Sequence, residues 1–138
     1  MRKLFLVLAA CGLLAGLTAT TALAAHPHFN KKDTSATQVG DNLNYTWTLS
    51  GLGNDLTSVD VGVQAQVACV TKSGNHPKAA NKQGVGQDDT APAHNGTATN
   101  SDTLTPPSSL HCGEGQDLEW LSITFSYDGA TLTLHGPF

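Results

Sequence analysis

Beyond residue 2 the chain has no arginine, and it holds one methionine, three cysteines and no apolar run longer than the 14 residues 4–17. Each shortage excludes something. Bidentate contacts to phosphate or guanine rely on arginine. Past residue 25, five lysines face eleven acidic residues, a formal charge of −6. Such a surface repels polyanions and anionic lipid, so nucleic acid and polybasic membrane contacts are not expected. A membrane span needs roughly 20 apolar residues, which no segment supplies. Helical 3.6-residue periodicity, internal repeats and charge runs are also missing.

The apolar run itself has a reading. It follows Met1-Arg2-Lys3 and precedes Ala22-Leu23-Ala24, the layout of a secretory signal peptide over residues 1–25. Cleavage after Ala24 suits the small-residue rule, and cleavage after Ala25 would leave His26 first. Leu8-Ala9-Ala10-Cys11 resembles a lipobox, but the apolar run continues past Cys11, which argues against a lipid anchor. The expectation is a secreted or extracellular protein, with the periplasm as the other destination. Residues 26–138 then form one domain of ordinary size.

Two cysteines remain, Cys69 and Cys112. They lie too far apart for a C-x-x-C redox or metal pair, and an exported chain meets an oxidising compartment, so they predict a structural disulfide.

What is abundant is period-2 alternation. "LNYTWTLS" sets Leu43, Tyr45, Trp47 and Leu49 on one face, and "VDVGVQAQVAC" does the same from Val59 to Cys69. In "LSITFSYDGATLTLHG" the Asp128-Gly129 pair predicts a two-residue hairpin. That register sets Tyr127 opposite Ala130, Phe125 opposite Leu132, Ile123 opposite Leu134 and Ser122 opposite His135. From Val70 to Leu118 the chain reads as loop, except for a polar edge strand over residues 97–104. Counting weak strands near Val39 and Val85 gives about seven. The fold class is all-β, a two-sheet sandwich of immunoglobulin-like architecture with one disulfide. No tryptophan lies between the cysteines, so it is not a true immunoglobulin domain.

Several short motifs, "GLGN", "C-x4-GN-x-P-x-AANK" and "C-x2-GQ-x-L", give the chain a pattern that resembles a family of small secreted all-β proteins of bacteria and fungi. The second reads Cys69, Gly74, Asn75, Pro77 and Ala79 to Lys82. The third reads Cys112, Gly115, Gln116 and Leu118. The resemblance implies an extracellular all-β domain with this disulfide, and it carries over no activity and no catalytic residue.

Candidate sites are few. All six histidines follow residue 25. A chain starting at His26 could hold copper through its amine, its ring and a second imidazole such as His28. Pro27 removes the amide that an amino-terminal motif with histidine third would need. Against the copper reading, the histidines sit beside turn residues, as solvated loop histidines do, and no other cofactor is expected. G-x-S-x-G, H-E-x-x-H and a free cysteine are missing, so an enzyme is not expected. Asp88-Asp89 reads as a loop without the ligand spacing of a calcium site. The remaining class is a non-catalytic binding or surface-interaction protein for an unknown extracellular or cell-envelope ligand. Strict alternation puts Trp120 with Ser122, Thr124 and His135 on the polar face, as a ligand platform. A β-bulge near Asp117 would instead turn the indole into the core.

Overall fold

The structure is a computed structural model that describes residues 25–73 and 82–138. The expected signal sequence up to Ala24, Cys11, and the motif residues Gly74, Asn75, Pro77 and Ala79 to Asn81 lie outside the described residues, as does His76.

Eight strands form, in place of the expected seven: β1 (His28–Phe29), β2 (Ser35–Val39), β3 (Asn42–Ser50), β4 (Ser58–Thr71), β5 (Lys82–His94), β6 (Thr97–Leu104), β7 (Gln116–Tyr127) and β8 (Ala130–His135). Every pairing is antiparallel. The hydrogen-bonded path runs β1-β3-β6-β5-β4-β7-β8, with β2 also on β3, in line with β1.

The two-sheet sandwich expected from the sequence is corrected by this path. β5 pairs with β4 from Lys82 to Pro92, and with β6 only at Ala93 and His94. The Asn95-Gly96 turn, with both residues at positive φ, launches a hairpin that splays after two pairs. One rolled sheet therefore bends at β5. Its far edges approach each other where β1 lies against β8 and β2 against β7. The result is a nearly closed barrel-like sheet, which leaves fewer free strand edges than two stacked sheets would.

The alternating segments behave as read. Leu43, Trp47 and Leu49 are fully buried, with Val61, Val63, Val67, Ile123 and Phe125 packed against them. The β7–β8 hairpin has the anticipated register at all four named pairs. Cys69 and Cys112 are bonded, with their Cα atoms 5.3 Å apart. Residues 97–104 are a strand as expected, but an interior one, between β3 and β5.

The stretch read as loop, apart from the weak strand counted near Val85, holds the largest error. Residues 82–94 form the long strand β5, and Asp88-Asp89 lies inside it. Gly84, Gly86 and Asp88 point outward; Gln87 and Asp89 point inward, opposite Val63 and Val61. Asp89 is 4% exposed. Its Oδ2 accepts hydrogen bonds from Tyr45 Oη at 2.7 Å and Trp47 Nε1 at 3.0 Å, and its Oδ1 from Gln87 Nε2 at 3.0 Å. Gln87 also reaches Asp102 Oδ2 at 3.0 Å, across the seam where β5 and β6 part. A buried carboxyl is tolerable because each of its oxygens finds at least one donor.

Candidate functional site

The groove with the greatest variety of chemistry lies on the outer face of β4, β7 and β8, and a backbone irregularity creates it. Pairing between β4 and β7 runs regularly down to Gln66–Ser122 and then shifts, so that Val67 faces Trp120. Leu121 is the extra residue of a β-bulge. Past a bulge, each residue on the bulged strand exchanges faces. Trp120 therefore turns inward and Leu121 outward.

This corrects the expectation of a Trp120 platform. Trp120 is fully buried, and its Nε1 donates to the carbonyl oxygen of Asp41 at 2.9 Å. The bulge reading holds, with the irregularity at Leu121 rather than near Asp117.

The turn of the β2–β3 hairpin thus docks over the indole. Gln38 completes the closure: its Nε2 donates to the Leu118 carbonyl at 2.9 Å, and its Oε1 accepts from the Trp120 amide at 3.2 Å. A side-chain amide stands in for a neighbouring strand beyond the end of β8. There the chain crosses the Trp120 carbonyl oxygen at Gly136, where any Cβ would overlap it, and Gly136 N donates to the Leu121 carbonyl at 2.9 Å.

Outside this closure lies a groove of about 1000 Å³. Its apolar lining includes Leu121 and Phe138, both half-buried. Gln66, Ser122 and His135 form one row of cross-strand neighbours, so His135 stands where the hairpin register predicted. Lys82, Ala68 and Glu119 form the next row, across β5, β4 and β7. Ala68, at its centre, is fully buried. Lys72 extends the cationic side and Asp117 the anionic side. Strict alternation hides this groove by assigning Leu121 to the core and Trp120 to the surface, and the bulge alternative places the indole inward without bringing Leu121 out.

The other sequence candidates are not brought together. His26 and His28 are exposed, and His28 Nδ1 lies 3.0 Å from the His26 carbonyl oxygen. Gly51 permits this crowded approach, since a Cβ there would overlap the same oxygen. His28, Ser50, Thr97 and His94 share one row across four strands. Three strand spacings of ~4.8 Å put the row's ends ~14 Å apart, beyond a shared metal ion. Among the described residues no three His, Cys, Asp or Glu side chains cluster at metal-binding distance. Nor is any helix among them long and apolar enough to cross a membrane.

No family model matches the chain, and no curated protein matches it. Among solved structures, the solution structure of R. palustris CsgH is similar in 78% of this chain and 88% of its own, at 10% identity and a TM-score of 0.31.

Proposed function

We propose that this chain is an exported, non-catalytic binding protein whose ligand occupies the groove on the outer face of β4, β7 and β8. The observation that carries the reading is the bulge at Leu121. It spends a residue of strand register to place an apolar side chain among Gln66, Ser122, His135 and four charged groups. A concave surface that sets apolar side chains beside positioned polar groups suits a ligand site. Export is supported by the disulfide, which persists in oxidising compartments, and by the signal-peptide pattern of the sequence.

Ser122 and His135 are direct cross-strand partners, and in this reading both serve to hold the ligand. Copper held at His26 is the competing assignment and depends on a free His26 amine.

Amide-resolved NMR titration tests the reading. The probes are a tripeptide, an N-acetylglucosamine oligomer, a glucose oligomer, glycerol phosphate and Cu(II). The expected result is that one organic class shifts the amides of Leu121, Ser122, His135 and Phe138, and that Leu121→Asp suppresses the response with an unchanged melting temperature. Shifts confined to His26 and His28 with Cu(II), or no response to any probe, would overturn it.

A further inference from the structure

The charges around the groove are arranged by sign. Lys82 stands on β5 and Lys72 just past the end of β4, while Glu119 and Asp117 stand on β7. None of the four makes an ion pair or hydrogen bond through its side chain with another described residue. Lys82 and Glu119 belong to one row, as the partners of Ala68 on either side of β4. Two strand spacings put their backbones about 10 Å apart, and no ion pair joins their side chains. Leu121 lies beside this row, and Gln66 and Ser122 flank it with an amide and a hydroxyl.

From this arrangement we propose that the groove binds a short peptide with both ends free, lying across the strands. This inference rests on the groove being the binding site. Its carboxylate sits at Lys82 and Lys72, and its ammonium group at Glu119 and Asp117. An extended chain spans at most ~3.3–3.6 Å per residue, so a peptide of roughly three residues matches the length of the row, about 10 Å from backbone to backbone. Gln66 and Ser122 supply partners to the peptide's own amides, and an apolar central side chain rests on Leu121 and Phe138. A neutral sugar would leave four charges unanswered, and a simple anion or cation would answer two and meet repulsion from the others.

The test uses the oxidised protein and three probes: Ala-Leu-Ala, its N-acetylated form and its C-terminal amide. The free tripeptide is expected to shift the Leu121, Ser122 and His135 amides. Blocking either end should weaken binding roughly fivefold, the upper range for a partly exposed charge pair, and added salt should weaken the free form most. Lys82→Gln should make the protein indifferent to amidation, and Glu119→Gln indifferent to acetylation. Lys82 is exposed and Glu119 half-buried, and unchanged melting temperatures verify the fold. Equal affinity for all three peptides overturns the proposal. So does silence toward all three with a groove response to a sugar oligomer, an outcome that leaves the groove standing as a binding site. Silence toward every probe overturns both readings.

Discussion

The indole nitrogen of Trp120 donates its hydrogen bond to the backbone carbonyl of Asp41, 79 residues away in sequence. That contact ties the β2–β3 turn to β7 at the place where the rolled sheet comes closest to closing. Trp120 is fully buried. Trp120→Ala removes the largest apolar group at the closure and leaves the Asp41 carbonyl without this donor, with an expected cost of about 3–5 kcal/mol. Urea unfolding followed by far-UV circular dichroism measures it. A loss below about 1 kcal/mol would show that the indole does not hold the closure.

Gln38 should matter nearly as much, although it is a polar residue on a short strand near the edge. Its amide satisfies two backbone groups of β7, the Leu118 carbonyl and the Trp120 amide. Gln38→Ala should cost about 1–3 kcal/mol, from backbone groups left without partners. Gln38→Glu keeps the acceptor and loses the donor to Leu118, so its loss should rise with pH as the carboxyl ionises. Stability to urea at several pH values checks both, and a pH-independent Gln38→Glu variant would contradict the assigned roles.

The contrast between Gln38 and the β7–β8 hairpin shows what was legible in the sequence. The hairpin register follows from local facts: a two-residue turn that favours positive φ, and alternation matched on both sides of it. Asp128 and Gly129 have φ of 43° and 80°, and the pairs fall as expected. The β3 and β4 alternation is equally local. β5 showed only as a weak strand near Val85, and its full length was hidden for a different reason. Its inward Gln87 and Asp89 carry no apolar signal, and they are buried because Tyr45, Trp47 and Asp102 meet them from strands far along the chain. The groove was hidden by one extra residue, since the sequence around Leu121 alternates smoothly through the bulge. Splaying of the β5–β6 hairpin likewise depends on long-range pairing, so a single rolled sheet and a two-sheet sandwich share one strand pattern.

The Cys69–Cys112 bond joins β4 to the segment that leads into β7, across a sequence separation of 43 residues. On the chain-entropy model a loop of that size is worth about 4 kcal/mol. The double substitution Cys69→Ser/Cys112→Ser should therefore lower unfolding stability by roughly 2–5 kcal/mol, as should reduction. The β4–β7 pairing past the bulge should loosen first. Amide exchange at residues 116–119, compared with residues 122–127, reads this out. Uniform loss of protection along β7 would mean that the bond does not act locally.

The Tyr45–Asp89 pair predicts a specific alkaline limit. The Tyr45 phenol is pushed well above its ordinary value of 10.0, first by burial, then by its hydrogen bond to Asp89 and by the negative charge of that residue. Its raised folded-state value means that the unfolded chain releases the phenol proton first. The stabilisation is complete below pH 10, and it declines as pH climbs from there towards the folded value. The slope from this one group approaches ~1.4 kcal/mol per pH unit. Tyr45→Phe removes the titration, so its stability should fall less steeply above pH 10. At pH 7 the same variant should be less stable by about 1–3 kcal/mol, because Asp89 loses a donor inside the core. Denaturant midpoints from pH 7 to 11.5 for both proteins decide the matter. Parallel curves above pH 10 would show that the phenol ionises in the folded protein as readily as in the unfolded one, and the buried pair would then not set the alkaline limit.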